Sequence, residues 1–218
     1  MSGLKRIAVL VSGGGTNLQA LIDAEKSGVI KSGRISLVVS SSPDAYALVR
    51  AADAGIETLV IDKSGHPDRE EYSLAIRDAL IEAKTDLVIL AGFMYILTES
   101  FVSAFENRII NVHPALIPSF CGEGYYGLHV HEAALAYGVK VTGATVHFVS
   151  VVTDGGPVIL QKAVEIKEGD TPKTLQRRVM EEAEWQLLPQ AAELFCAGRL
   201  SVEGRVVRIS EETKNKTI

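Results

Sequence analysis

The sequence predicts an α/β fold: a doubly wound, mostly parallel open sheet with an antiparallel hairpin towards its C-terminal part. The first observation is that short, nearly continuous apolar runs alternate with helical segments in the first half, as expected for strands buried on both faces. The second is a glycine-rich turn that joins the first apolar run to the first helix. The third is a pair of strand patterns, residues 140–149 and 157–166, that flank an Asp-Gly-Gly turn with no helix between them.

Four strands are predicted in the first half and are separated by helices. The strands are residues 4–11, 35–39, 57–61 and 86–91. The first helix follows the glycine turn, the second spans residues 44–54, and the third follows Asp68, which is spaced from Glu71 as in a capping box. A short helix over residues 98–105 leads to a fifth strand, which we expect to end at Asn111.

The second half begins with a long connection over residues 115–127 and a helix over residues 128–137. The hairpin follows, and Asp170-Thr171-Pro172 then starts the last long helix. That helix passes Pro189, where a kink or a break is expected. A small closing hairpin around Glu203-Gly204 precedes a polar tail.

Composition excludes several classes of protein. The net charge is −5 and no basic block occurs, so general affinity for nucleic acid is not expected. No apolar stretch approaches the length of a membrane span. Only Cys121 and Cys196 occur, which argues against a disulfide framework and favours a reducing, cytoplasmic compartment. We expect a cytoplasmic protein that acts on small molecules, with no nucleic-acid or membrane partner, as a monomer or a homodimer.

The stretch Asn111-Val112-His113-Pro114 places an amide and an imidazole at the carboxyl end of the fifth strand. In an open α/β sheet, ligands bind at this edge. The amide donates two hydrogen bonds, and the imidazole holds or releases a proton near neutral pH, so the pair suits an oxyanion that forms and collapses. Alone, such a motif is more often a strand-ending asparagine and an ordinary loop histidine. The other motifs of this chain favour the catalytic interpretation.

The turn Gly13-Gly14-Gly15-Thr16-Asn17 is typical of an anion site, because its backbone N–H groups and the helix N-terminus favour negative charge. It lacks the Gly-Lys-Ser/Thr of a Walker loop, and Leu18 stands where a dinucleotide fingerprint has its third glycine. The second strand also ends without the acidic residue that binds a dinucleotide ribose. The turn therefore favours a monophosphate over NAD, with a tight turn that binds nothing as the alternative.

Several other features have two interpretations each. The unusually apolar loop of residues 92–97 either lines a pocket for a flat ring or packs into the core. Asp154 is either functional or a plain turn aspartate. Arg69, in the first turn of a helix, is either near an anion or simply solvated. His129 and His131 lie two residues apart and do not share a helix face, so no metal site is expected.

Together, five stretches resemble the phosphoribosylglycinamide formyltransferase family, the folate-dependent enzymes of purine synthesis. The stretches are residues 12–17 (SGGGTN), 90–94 (LAGFM), 110–118 (INVHPALIP), 145–149 (TVHFV) and 154–159 (DGGPVI). The resemblance implies the formyltransferase fold. It also implies transfer of the formyl group of 10-formyltetrahydrofolate, a co-substrate, to the amine of glycinamide ribonucleotide in de novo purine biosynthesis. The implied reaction is direct attack through a tetrahedral intermediate, without a metal.

The resemblance further implies a role for each matching residue. Asn111 and His113 stabilise the oxyanion, His113 also moves a proton, and Asp154 pairs with His113, raises its pKa and orders a water. The implied phosphoribosyl-binding residues are Gly13, Gly14, Gly15, Thr16, Asn17 and Glu184. The implied folate-binding residues are Arg69, Met94, Tyr95, Ile96, Leu97, Val151, Val152 and Thr153. Glu184 is preferred to Glu182 because its spacing to Pro189 matches the family.

Two departures from the family pattern stand out. Tyr95 occupies a position where many members have arginine, and the segment over residues 121–127 is longer than in several relatives. We assign one formyltransferase domain to residues 1–218, with a phosphate-binding half (1–100), a folate and catalytic half (101–209) and a tail (210–218).

Three rival functions are weighed against this one. A methionyl-tRNA formyltransferase is expected to carry a C-terminal tRNA-binding domain, for which this chain ends too soon. A formyltetrahydrofolate hydrolase would use water in place of the amine, but it normally carries an N-terminal regulatory domain, whereas the first strand starts here at Leu4. A non-enzymatic nucleotide-binding module does not need the pair of Asn111 and His113.

Overall fold

The computed structural model describes residues 3–211 and places their nine strands in one sheet. The strands are β1 (Lys5–Val11), β2 (Gly33–Ser40), β3 (Thr58–Val60), β4 (Leu87–Leu90), β5 (Ile109–His113), β6 (Val141–Phe148), β7 (Val158–Glu165), β8 (Leu200–Glu203) and β9 (Val206–Ile209). Their order is β3-β2-β1-β4-β5-β6-β7-β9-β8. The first five pair in parallel, and β6 and β7 form the antiparallel hairpin. The predicted fold class is confirmed.

The strand order brings three connections to one edge of the sheet. β1 pairs in parallel with both β2 and β4, and β5 pairs in parallel with β4, so β1, β4 and β5 end at the same edge. The chain order reverses beside β1, which is where open α/β sheets bind their ligands. The glycine turn after β1, the apolar loop after β4 and the end of β5 are therefore neighbours.

Helices cover both faces of this sheet. Within the described residues they are α1 (Thr16–Lys26), α2 (Tyr46–Asp53), α3 (Arg69–Glu82), α4 (Glu99–Ala104), α5 (Leu128–Tyr137), α6 (Pro172–Val179) and α7 (Trp185–Cys196). Alternate residues of β1 enter two cores: Ile7 and Val9 pack on the side of α1, α2 and α7, whereas Ala8 and Leu10 pack on the side of α3 and α4. None of these helices is long and apolar enough to cross a membrane.

Two boundaries near the predicted sites differ from expectation. β5 continues through His113 instead of ending at Asn111, because His113 still pairs with Thr145 of β6. α1 begins at Thr16, so the last two residues of the predicted turn already belong to the helix. Both differences shift functional candidates from loops onto regular elements.

The long C-terminal helix is irregular before Pro189 rather than at it. Pro189 lies inside α7, and a π-helical turn over Met180–Glu184 separates α6 from α7. Pro189 has no N–H for the carbonyl of Trp185, and the wider turn ends at the residue before Trp185. The irregularity expected at Pro189 is therefore found about one turn earlier in the helix, over Met180–Glu184.

Other local predictions are confirmed. The carboxylate of Asp68 accepts the backbone N–H of Glu71 at 2.9 Å and caps α3. A 3₁₀ turn over Lys63–Gly65 lies in the connection between β3 and α3. β8 and β9 form the closing hairpin, and β9 joins the main sheet beside β7. Of the predicted tail, residues 212–218 lie outside the described residues.

Candidate active site

The end of β5 and the middle of β6 bring three polar side chains together. Asn111 and His113 are two residues apart on a strand, so they lie on the same face of the sheet. In the antiparallel ladder, Asn111 is paired with His147 and His113 with Thr145. The Nδ2 atom of Asn111 consequently lies 3.2 Å from Nε2 of His147.

Asp154 reaches this cluster from the loop between β6 and β7. Its Oδ2 atom lies 3.5 Å from Nδ1 of His113, and its Oδ1 atom lies 3.6 Å from Nε2 of His147. Gly122, in the long connection after β5, donates its backbone N–H to Oδ2 at 2.9 Å. The structure therefore brings together the three predicted catalytic residues, Asn111, His113 and Asp154.

The conformation of the Asp-Gly-Gly turn explains how Asp154, a loop residue, is held beside the strands. Asp154 itself has φ of 52°, a left-handed conformation that aspartate and asparagine tolerate better than most residues. A Cβ atom on Gly156 would lie 1.8 Å from the carbonyl oxygen of Phe148, and one on Gly155 would lie 2.7 Å from Val152. Only glycine fits at these positions, so the Asp-Gly-Gly sequence folds the carboxylate back towards the strands.

His113 is almost fully buried, with 4% of its surface exposed. Its Nε2 atom lies 2.8 Å from the carbonyl oxygen of Phe120, and its Nδ1 atom faces Asp154. Burial lowers the pKa of His113, and it outweighs Asp154 and the Phe120 carbonyl, which both act to raise this pKa. Asp154 thus acts in the expected direction, but the pKa of His113 lies below its ordinary value.

Asp154 is held in its charged form by its neighbours. Burial by itself would raise the pKa of this carboxyl group, but the two histidines and the N–H of Gly122 together keep it below its ordinary value. Of the two imidazoles, His147 at 3.6 Å lowers the pKa more than His113 at 3.5 Å. A charged carboxylate therefore lies between two imidazoles at physiological pH.

The glycine turn lies at the neighbouring strand end. Gly15 has φ of 69°, and a Cβ atom there would lie 2.7 Å from the side chain of Ala47, so the turn packs directly on α2. Arg50 of α2 donates through Nε to the carbonyl of Gly14 at 2.8 Å, which places a positive charge beside the turn. Arg50 belongs to a different helix and no motif surrounds it, so the sequence carries no signal for its place beside the turn.

Glu184 lies against this turn. Its Oε2 atom accepts a hydrogen bond from Nδ2 of Asn17 at 2.7 Å, and only 6% of its surface is exposed. Burial raises the pKa of Glu184 to about 7, and the bond from Asn17 only partly opposes this rise. Glu182 is exposed on the other side of the π-helical turn. The structure thus brings Glu184, and not Glu182, to the predicted phosphoribosyl site.

The predicted folate-binding residues lie in two exposed loops and one helix. The loop after β4 is packed into the core only in part: Met94, Tyr95 and Ile96 are 52%, 39% and 49% exposed, whereas Phe93 and Leu97 pack against the core. The backbone N–H of Met94 donates to Oγ of Ser12 at 3.0 Å, which ties this loop to the glycine turn. Other predicted members are also solvent-accessible, namely Val151, Val152, Thr153 and Arg69, while Leu97 is half-buried. No hydrogen bond or ion pair among residues 3–211 draws Arg69 or residues 151–153 to the catalytic cluster.

Two residues of this region were not selected from the sequence. His147 was assigned only to a strand, although its register opposite Asn111 would have signalled it once the hairpin was aligned on β5. The carbonyl of Phe120 has no sequence signal, since a backbone oxygen is available at every residue. Among residues 3–211, no group of three or more His, Cys, Asp and Glu side chains is arranged to hold a metal ion.

Comparisons with known proteins agree with this geometry. A family model described as formyl transferase matches residues 5–192. The chain is 38% identical over 214 residues to a phosphoribosylglycinamide formyltransferase of Haemophilus influenzae, with 98% of each chain covered. The crystal structure of glycinamide ribonucleotide transformylase 1 from Symbiobacterium toebii superposes with a TM-score of 0.91 at 45% identity, covering 97% of this chain and 96% of that one.

Some relatives are much longer proteins. The chain is 43% identical over 209 residues to the trifunctional purine biosynthetic protein adenosine-3 of Bos taurus. That match covers 95% of this chain and 20% of the relative, so the chain spans about a fifth of its length.

Proposed function

The chain belongs to the formyl transferase family, and from that premise we propose that it transfers the formyl group of 10-formyltetrahydrofolate to the amine of glycinamide ribonucleotide in purine biosynthesis. The observation that carries this proposal is the convergence of Asn111, His113 and Asp154 beside a glycine turn at one edge of the sheet. The side chains of Asn111 and His113 suit a developing oxyanion, and the neighbouring glycine turn suits a phosphate.

The glycine turn and Glu184 form the proposed phosphoribosyl site. Backbone N–H groups of residues 13–17, at the start of α1, receive the phosphate, and Arg50 adds positive charge nearby. Glu184 accepts hydrogen bonds from sugar hydroxyls while Asn17 holds its carboxyl group in place. The buried position of Glu184 supports this role, because a buried carboxyl group with one protein partner has capacity for a further donor.

The apolar loops form the proposed folate site. Met94, Tyr95 and Ile96 present an exposed apolar surface at the catalytic edge, with the half-buried Leu97 beside them, which is typical of walls that bind a flat ring. The loop of Val151, Val152 and Thr153 closes over the pterin from the other side, and Arg69 contributes charge at the rim. Because Asp154 ends the second loop, closure over the folate and alignment of the carboxylate are linked.

The proposed chemistry is a direct transfer. The neutral amine attacks the formyl carbon, a new C–N bond forms, and the carbonyl oxygen becomes an oxyanion bound by the amide of Asn111 and the imidazole of His113. In the structure the Nε2 atom of His113 contacts the Phe120 carbonyl, so the formyl oxygen takes the place of that carbonyl. The amine proton passes through a water ordered by Asp154 to the folate nitrogen, whose bond to carbon then breaks.

This chemistry needs neither a covalent enzyme intermediate nor a metal. It also fits a protein that works in the cytoplasm, since both cysteines, Cys121 and Cys196, are free thiols. The partners are then small molecules.

The test is to supply 10-formyltetrahydrofolate with and without glycinamide ribonucleotide and to follow deformylation of the folate. Transfer predicts that deformylation depends on the ribonucleotide and yields the formylated amine. Deformylation at the same rate without the ribonucleotide would identify a hydrolase instead. His113→Ala serves as the control, because turnover should collapse while ribonucleotide binding at the separate glycine turn is retained.

A further inference from the structure

His147 occupies a position that the mechanism above does not use. It lies on β6 directly opposite Asn111, and it is 1% exposed. The ladder between β6 and β7 is irregular at this point, since Val146 pairs with Leu160 but His147 pairs with Val158. Irregularities of this kind are common beside active sites, where they redirect side chains.

The hydrogen bonds of His147 define which ring nitrogen carries the proton. Its Nδ1 atom lies 2.9 Å from the carbonyl oxygen of Phe148. A carbonyl oxygen only accepts hydrogen bonds, so Nδ1 carries a hydrogen. In the neutral ring, Nε2 is then an acceptor, and it faces Nδ2 of Asn111 at 3.2 Å.

This arrangement orients the Asn111 amide. An acceptor at Nε2 attracts the NH₂ group of Asn111 and repels its carbonyl oxygen, so the amide has one preferred orientation. We infer that His147 is a positioning residue: by accepting one N–H of Asn111, it holds the second N–H towards the oxyanion of the formyl group. The inference rests on the proposed function and adds a residue to its machinery.

His113 and His147 both lie beside the Asp154 carboxylate, but their proposed roles require hydrogens at different ring positions. His113 faces an acceptor at each nitrogen, the Phe120 carbonyl and Asp154, so its charged form has both hydrogens bonded. His147 must stay neutral, because a hydrogen on Nε2 would turn to Asp154 at 3.6 Å and leave Asn111 without its acceptor. A rotated Asn111 amide would then present its carbonyl oxygen, which repels an oxyanion.

The first experiment observes the tautomer directly. The full chain is labelled with ¹⁵N-histidine, its histidine ring nitrogens are recorded by NMR near neutral pH, and His147→Gln assigns the signal. We expect a neutral ring with hydrogen on Nδ1. A neutral ring with hydrogen on Nε2, or a charged ring, would overturn the inference. This readout does not depend on activity.

The second experiment is a double-mutant cycle on formyl transfer. His147→Phe keeps a ring without an acceptor, and we expect kcat to fall by about 10- to 100-fold while KM for the ribonucleotide changes by less than about twofold. In an Asn111→Ala background, the same change should have almost no further effect, because the amide that it orients is gone. If the fold-changes in kcat of the two single variants multiplied in the double variant, His147 would act independently of Asn111. That result would contradict the inference.

A conservative variant separates positioning from packing. The carbonyl oxygen of His147→Gln can accept the Asn111 N–H, so this variant should recover most of the activity that His147→Phe loses. Equal losses in both variants would contradict the inference. His129→Phe is the matched control, since His129 is exposed and pairs with Glu132 on the surface. Wild-type protein without ribonucleotide-dependent deformylation would refute the proposed function, whereas an active wild type with multiplicative variants would refute only the role of His147.

Discussion

Asp154 and Glu184 are both largely buried at the same edge of the sheet, yet the pKa of Asp154 is lowered and the pKa of Glu184 is raised. Three neighbours surround Asp154, namely His113, His147 and Gly122, and its pKa lies below the ordinary value. One donor, Asn17, faces Glu184, and its pKa rises to about 7. Burial raises the pKa in both cases. The number of partners therefore decides the charge of each carboxyl group.

The difference matches the tasks that we propose for them. Asp154 must be charged throughout to balance an imidazolium and to order a water, so its partners are built into the protein. Glu184 lacks a full set of partners until sugar hydroxyls arrive. Its folded state therefore carries an unfavourable charge at neutral pH, which binding relieves. Such a conflict between stability and binding is common at functional sites.

Asp154→Asn should have the largest effect. Asparagine keeps the shape of the side chain and tolerates the left-handed backbone at φ of 52°, but it removes the charge that faces both histidines. We expect turnover to fall by about 10²–10⁴-fold, with ribonucleotide affinity changed by less than about twofold when measured by calorimetry. Turnover close to wild type would remove the carboxylate from the mechanism.

The same variant tests the acidity of Asp154. A carboxyl group whose pKa is lowered by folding from 3.8 stabilises the protein above that pH, and this contribution is lost as the pH falls through the folded-state pKa. Asp154→Asn should therefore have a lower free energy of unfolding than wild type at pH 7. This difference from wild type should disappear at acidic pH. Urea denaturation at several pH values measures it, and a deficit that grows in acid would contradict the assignment.

Gly156→Ala tests whether the turn, and not only the carboxylate, is needed. The new Cβ atom would lie 1.8 Å from the Phe148 carbonyl oxygen, so the backbone must shift and carry Asp154 with it. We expect a loss of about 10²-fold in turnover and about 1–3 kcal/mol in the free energy of unfolding. Gly65→Ala is the control, because a Cβ atom there meets nothing within 4 Å. If both variants were equally active, the turn would not be positioning Asp154.

Glu184→Gln should have the smallest effect on activity and an opposite effect on stability. Because folding raises the pKa of Glu184 from 4.5 to about 7, its ionisation opposes folding increasingly between these pH values. The variant should be more stable than wild type at pH 8, by up to about 3 kcal/mol, and the gain should vanish near pH 4. Ribonucleotide affinity should fall by about tenfold, the value of one charged hydrogen bond.

Glu182→Gln is the matched control for this prediction. Glu182 lies two residues away in the same π-helical turn but is exposed, so its replacement should change neither affinity nor the pH dependence of stability. A larger effect at Glu182 than at Glu184 would reverse the choice between the two glutamates.

The fold and part of the site could be predicted from the sequence because their signals are local. Continuous apolar runs gave the parallel strands, the turn of residues 13–17 marked the end of β1, and Asn111 and His113 stood at a strand end. The acidity of Glu184 and the role of His147 had no such signal. They depend on contacts between residues 17 and 184 and between residues 111 and 147, which only the register and packing of the sheet bring together.

The most direct test is a crystal structure with glycinamide ribonucleotide and an unreactive analogue of 10-formyltetrahydrofolate. The account predicts a formyl oxygen within about 3 Å of Nδ2 of Asn111 and Nε2 of His113, with the Phe120 carbonyl displaced and the Asp154 carboxylate still beside His113. A formyl group bound away from these atoms, with the contact between His113 and Phe120 intact, would contradict it.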